Sequence, residues 1–428
     1  MRVFTGATPG DVTVTGVRLP GGAALVDLEV RNGRVAAVRA SGEADAGEHV
    51  ALPAFVDLHT HLREPGGEAA ETIATGTMAA AAGGYSDVFA MANTVPVTDS
   101  VERVERMRAM ASGASARVHV VAAATLGQAG ASLVDVEALR AAGVTVFSDD
   151  GHCVEDDGLV YELLRRLSSV GGVFAQHAQS GSIVGSGVVN ERVASSIGCA
   201  GWPPVGEEAI VARDIAIARA TGGRLHVCHV STRRTVELVR WAKAVGAPVT
   251  AEVTPHHLTL TDQEAVERGP LLKVNPPLRS EDDVVALREG LRDGTIDAVG
   301  TDHAPHPREA KSRPWPQASF GMTAIETALP IVAEVLTDPS TGDVDWRRLI
   351  EVMSSAPAAI GGLADRTGAV RPGATADFCV VESGGRWSVD ASSQLSRSRN
   401  TPFDGRQFSH RVVLSVVSGR VTYSAITG

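Results

Sequence analysis

Eight times between residues 51 and 337, an apolar, β-branched run is followed by an Ala/Glu/Arg-rich segment of helical spacing that stops at or near glycine. The runs are 51–59, 85–92, 116–124, 144–148, 172–177, 224–230, 248–254 and 295–301. The helical segments lie near 68–83, 100–112, 133–142, 157–170, 206–221, 232–245, 281–293 and 322–337. No sequence repeat of fixed period underlies this grammar. Strands that alternate with helices run parallel, because each crossover returns the chain to the same end of the sheet. Eight such units in about 290 residues predict an α/β fold, an eight-stranded βα (TIM-like) barrel. An open doubly wound sheet is the rival arrangement, but neither GxGxxG nor a Gly-Lys phosphate loop occurs.

The two ends differ from the middle. Residues 1–50 and 366–428 hold short alternating runs such as DVTVTGVRL, AALVDLEV, ADFCVVE and RVVLSVVSG, punctuated by Gly and Asp. These predict antiparallel strands. Isolated hairpins are marginal, so the economical arrangement is one small β-sandwich built from both termini. The expected domains are 1–52 and 366–428 for the β domain and 53–365 for the barrel.

Composition narrows the function classes. The chain carries 39 basic and 50 acidic residues, a net charge of −11, with no Lys/Arg tract. Nucleic acid and anionic membrane are therefore poor partners. The opening MRVFTGATPG lacks the apolar core of a secretory signal. No apolar run approaches the roughly 18 residues of a membrane helix. Four cysteines lie far apart without a CxxC pair, as expected in a reducing cytoplasm. Only three lysines occur, Lys243, Lys273 and Lys311.

In βα barrels the chemistry sits at the C-terminal ends of the strands. Here those ends read His59 and His61, Asn93, Asp149-Asp150, His177, His229 and Asp302. A lone buried histidine is ordinarily a satisfied core residue; several imidazoles and carboxylates converging on one rim suggest a metal centre. His59 and His61 are two apart on a strand and so share a side. The set suits Zn²⁺ or a similar ion. It exceeds one tetrahedral site and fits two ions about 3.5–4 Å apart, with a water between them as nucleophile. Either Asp149 or Asp150 can bridge, but not both, because neighbouring strand residues face opposite ways. No nucleophile elbow or cysteine motif competes.

The motifs, in order, are Asp57-Leu-His-Thr-His-Leu-Arg-Glu-Pro-Gly66, Asn93-Thr-Val-Pro96, Phe147-Ser-Asp-Asp-Gly151, His229-Val-Ser-Thr232, Thr254-Pro-His-His257, Lys273-Val-Asn-Pro-Pro-Leu-Arg279, Thr301-Asp-His-Ala-Pro-His306 and Asn400-Thr-Pro-Phe403. This ordered set resembles the class I dihydroorotases of the amidohydrolase superfamily over essentially the whole chain. The resemblance implies reversible cyclisation of N-carbamoyl-L-aspartate to (S)-dihydroorotate in pyrimidine synthesis. It implies two Zn²⁺ ions, with His59, His61 and Asp302 on the first, His177 and His229 on the second, and Asp150 bridging. The bridge falls on the second Asp because relatives place it 27 residues before the next ligand His, as 150 stands before 177. Asp302 is the implied acid/base. Arg63, Asn93 and His306, with His61, are implied to bind the substrate carboxylate, and Asn275, Phe320 and Gly321 its ring. A surface ion pair with Glu64 or Glu68 is the plain alternative for Arg63, and a turn role for Asn275.

Three departures stand out. His177-Ala-Gln179 replaces the usual His-Cys-Glu, Ala324-Ile-Glu-Thr327 replaces Gly-Leu-Glu-Thr, and the loop Lys311–Gln317 is rich in proline. Hydantoinases and allantoinases usually bridge their metals with a carboxylated lysine, and no lysine lies near the fourth strand here. The alternatives are another cyclic amidohydrolase, or a dihydroorotase-like scaffold for aspartate carbamoyltransferase. The expected partner is a small-molecule substrate, and a homodimer and a transcarbamoylase complex are both compatible with the sequence.

Overall fold

The computed structural model describes residues 1–6, 8–42, 48–363 and 369–426. Its barrel strands are Phe55–Thr60, Tyr85–Ala90, Arg117–Val120, Val146–Phe147, Val173–Gln176, Arg224–Val227, Val249–Val253 and Ala298–Val299. They pair in sequence order as a three-stranded and a five-stranded parallel sheet. Parallel bridges Ala122–Phe147 and Thr60–His303 join the two sheets at both seams and close the barrel.

The helix Asp157–Val170 illustrates the local logic. Asp156 caps its first turn by accepting the Leu159 amide, and Gly171 ends it in the left-handed region at φ 78°. Between the caps Val160, Leu163, Leu164 and Leu167 form one buried stripe. Its bounds, and those of Glu281–Asp293, coincide with the sequence expectation.

One predicted strand divides. Residues His49–Pro53 pair antiparallel with Phe378–Glu382 outside the barrel, and the first barrel strand begins at Phe55. Both pieces are buried among apolar neighbours, so no change of pattern marks the border between them.

The terminal strands form one mixed sheet. Its order is Arg420–Ser424, Gln407–Val417, Phe378–Ser388, His49–Pro53, Val12–Arg18, Leu25–Arg31 and Arg34–Ala40, with Arg2–Thr5 beside Val12–Arg18. Pairing is antiparallel except where Arg18 meets Val50 in parallel. Alternate residues turn inward, so Val14, Leu28, Val30, Phe378, Val380, Leu414 and Val416 make a second core. The expected boundary at 365/366 lies outside the described residues. Arg117, on the third barrel strand, joins the two cores: its guanidinium meets Asp87 at 2.6 Å and Asp377 of the terminal region at 2.7 Å. Among the described residues, no helix is long and apolar enough to cross a membrane.

Candidate active site and metal centre

The first strand delivers His59 and His61, fully or nearly buried, to the C-terminal rim. Asp57, on the same strand, accepts the Thr301 amide at 3.0 Å and its hydroxyl at 2.5 Å, fixing strand one against strand eight. Asp150 lies at the centre of the rim. Its Oδ1 is 3.3 Å from His59 Nε2 and 3.4 Å from both His177 Nδ1 and His229 Nε2, while its Oδ2 is 3.3 Å from His61 Nε2. Asp302 Oδ1 lies 3.0 Å from His61 Nε2 and 3.6 Å from His59 Nε2. Asp149 turns away, accepting the Ala124 amide at 2.8 Å, the Thr125 amide at 3.0 Å and the Thr125 hydroxyl. His229 and Asp302 adopt positive φ of 33° and 45°, and Arg63 has φ 60°. Non-glycine residues there carry backbone strain, which concentrates where a site demands a particular side-chain direction.

The proton positions on the imidazoles follow from their outer partners. His59 Nδ1 donates to Glu252 Oε1 at 2.7 Å, His61 Nδ1 to Asn93 Oδ1 at 3.0 Å, and His177 Nε2 to Gln179 Oε1 at 2.9 Å. Each ring therefore turns a bare nitrogen inward, towards carboxylate oxygens. His59 Nε2 is buried with no hydrogen-bond partner, and His177 Nδ1 faces His229 Nε2 at 2.9 Å. Lone pairs crowded against carboxylates in this way are favourable around cations. The donor set of four imidazoles and two carboxylates thus fits a metal centre. Two of its overlapping groups are His59–His61–Asp302 and His59–Asp150–His229.

Beside this cluster lies a cavity of about 290 Å³, lined among others by Arg63, Asn93, Asn275, His306, Phe320 and Gly321. Arg63 makes no ion pair with Glu64 or Glu68. Glu64 accepts the Ile73 amide, Glu68 accepts the Gly66 amide, and Arg63 Nε donates to the Pro305 carbonyl at 3.3 Å. His306 Nε2 is 2.6 Å from the Phe320 carbonyl and so carries the proton. The 3.2 Å approach of Arg63 Nη2 to that nitrogen is consequently a packing contact. Burial, then the Arg63 charge, pushes His306 down to about 3, which keeps it neutral. Asn93 gives its Oδ1 to His61 and retains its amide nitrogen for the cavity. Asn275 Nδ2 donates to Gln179 at 3.2 Å, and its buried Oδ1 has no partner.

The sequence reading passed over Glu252 and gave Gln179 and Lys311 no role at this site. Glu252, inside the seventh strand, holds His59 and stands 3.2 Å from His226 Nε2. Gln179 links His177 to Asn275. Lys311 Nζ donates to the carbonyls of Lys273 and Ser319, both at 2.9 Å. His303 is structural: its Nδ1 accepts the Ala324 amide at 3.2 Å.

A βα barrel whose strand ends turn imidazoles and carboxylates onto one another beside a polar cavity defines a metal-dependent hydrolase of the amidohydrolase type. A dihydro-orotase-like family model matches residues 48–235, and the chain is 46% identical to the dihydroorotase of Streptomyces coelicolor over 97% of its length and 96% of that protein. The chain belongs to the dihydroorotase family. The dihydroorotase of Mycobacterium tuberculosis is 43% identical over 96% of this chain and 98% of its own. Among solved structures, an L-hydantoinase (dihydropyrimidinase) from Arthrobacter aurescens superposes with a TM-score of 0.84 at 26% identity, covering 96% of each chain. A D-hydantoinase from a Thermus species, at 22% identity and a TM-score of 0.80, shares the fold.

Proposed function

We propose that this chain interconverts N-carbamoyl-L-aspartate and (S)-dihydroorotate. The observation that carries the reading is Arg63, a cation on the wall of the cavity beside the imidazole–carboxylate cluster, where a ring bearing a carboxylate can be recognised. Full-length similarity to proteins named dihydroorotase supports it.

Two zinc ions are the expected cofactors. His59, His61 and Asp302 would hold one, His177 and His229 the other, and Asp150 would be shared. Bound there, the metal supplies a Lewis acid for the ring amide and lowers the pKa of water near it. The remaining work belongs to side chains. Arg63 pairs with the substrate carboxylate, and Asn93 and His306 line the same end of the cavity. Asn275 offers its unpartnered Oδ1 to a ring N–H. Phe320 and Gly321 adjoin His306 and continue that wall. In ring opening, Asp302 accepts the proton of the attacking water and delivers it to the departing ring nitrogen; in closure it moves the proton the other way.

The test is one purified, partner-free sample, measured for metal content and for both directions of the reaction, with hydantoin and allantoin as controls. About two ions per chain with turnover of dihydroorotate alone supports the reading. Turnover of the uncarboxylated rings in preference overturns the substrate assignment. Bound metal without turnover, rescued by aspartate carbamoyltransferase, would make the activity partner-dependent.

A further inference from the structure

Asn400 belongs to the segment that leaves the short helix Ala391–Ser393 and leads to the strand Gln407–Val417 of the terminal sheet, outside the barrel. Its side chain is almost fully buried and engages nothing but backbone of the two loops that wall the cavity. Oδ1 accepts the His306 amide at 3.1 Å. Nδ2 donates to the Ala304 carbonyl at 3.1 Å and to the Gly321 carbonyl at 3.2 Å. The Asn400 carbonyl in turn accepts the Thr323 amide at 3.3 Å. These loops also pair directly, through the Ala304 amide and Met322 carbonyl at 2.8 Å. Gly321 approaches so closely, at φ 127°, that a Cβ there would lie 2.5 Å from that of Ala304.

We propose that Asn400 is a positioning residue for substrate binding, setting the separation of the His306 and Phe320-Gly321 loops and through them the wall that meets Arg63. The proposal deepens the dihydroorotase reading and rests on it for the identity of the substrate. An amide is the side chain this place requires. One acceptor faces an N–H, and two donors face two carbonyls. A carboxylate of the same shape would keep the first bond and set oxygen against oxygen at the other two. None of these contacts reaches the imidazole–carboxylate cluster, so the effect belongs to binding rather than to the chemical step.

The experiment uses Asn400→Asp and Asn400→Ser in the full chain. Three quantities are measured: steady-state kinetics in both directions, metal content, and amide hydrogen exchange. Expected in both variants is a KM raised about tenfold or more, because small displacements of a binding wall are costly. Expected alongside are kcat within about threefold, unchanged metal content, and faster exchange over 319–323 with the barrel core still protected, joined by His306 in Asn400→Ser. Wild-type KM together with wild-type protection over 319–323 in Asn400→Asp overturns the proposal. So does a fall in kcat and core protection together, which marks a general structural role. If the wild type does not act on dihydroorotate, the substrate reading fails separately. The exchange over 319–323 then still decides whether Asn400 holds the loops.

Discussion

Asp302 is buried at the rim with a positive φ, and its Oδ1 is in contact with His61. Its carboxylate faces the inward nitrogens of His61 and His59, an arrangement that a shared cation would favour. A carboxylate so placed would take the proton of a water beside it. Asp302→Asn should lower turnover by roughly 10²–10⁴-fold in both directions, with circular dichroism unchanged; near-normal rates would remove the acid/base role. Arg63→Met should raise KM for both carboxylated substrates and leave kcat closer to wild type, and an unaltered KM would assign Arg63 to packing. Glu252→Gln should weaken metal retention by about 10–100-fold in chelator competition, since it removes the charge behind the His59 proton. His59 and His61 were legible because an HxH at a strand end is a pattern in itself. Glu252 was not: within PVTAEVT it is the one charged residue of a β-branched run, and its meaning comes from His59, 193 residues away.

The loop that carries Phe320 is held by lysines. Lys311 Nζ and the Gly321 amide both donate to the Lys273 carbonyl, and Lys273 Nζ donates to the Trp315 carbonyl at 2.6 Å. Two of the chain's three lysines therefore brace one wall of the cavity. A compact ammonium suits converging carbonyls better than a planar guanidinium does. Burial, then the like charge of Lys273, lowers Lys311 from 10.5 to about 7. Unfolded, it keeps its proton up to about 10.5; folded, only to about 7. The folded state thus bears the full cost of the buried charge below about pH 7, and that cost lifts as pH rises towards 10.5. Lys311→Met should flatten this rise, read as the difference in denaturant midpoint between about pH 7 and about pH 10. An equal pH dependence in both proteins would contradict it. At this scale the helices with clear caps could be bounded from sequence. The division of 51–59 could not, because a strand of the terminal sheet and a barrel strand present the same apolar face to their neighbours.

The barrel and the terminal sheet meet through a buried charge cluster as well as through apolar packing. Arg117 neutralises Asp87 and Asp377 together, and His119 adds a 2.7 Å contact to Asp87. Removing the one cation that serves both carboxylates leaves them buried and uncompensated. Arg117→Met should cost about 3–5 kcal/mol in chemical denaturation while metal content of the folded fraction stays the same. A loss below about 1 kcal/mol would mean the carboxylates are solvated after all. The union of both termini in one domain could be inferred from their matching composition. The particular bonds that tie it to the barrel, such as Arg117 to Asp377 and Asn400 to His306, join residues too distant in sequence to form a pattern.

That arrangement has a consequence for synthesis. All the imidazoles and carboxylates of the rim precede residue 303, whereas Asn400 and the strands Phe378–Ser388 and Gln407–Val417 are translated later. On the ribosome the strand His49–Pro53 must wait for Phe378–Ser388, and the cavity lacks its clamp until Asn400 is made. A stalled or truncated chain would therefore display the whole ligand set without a finished substrate wall. The full substrate wall would thus be assembled only after residue 400 has left the ribosome, long after the ligand set is complete.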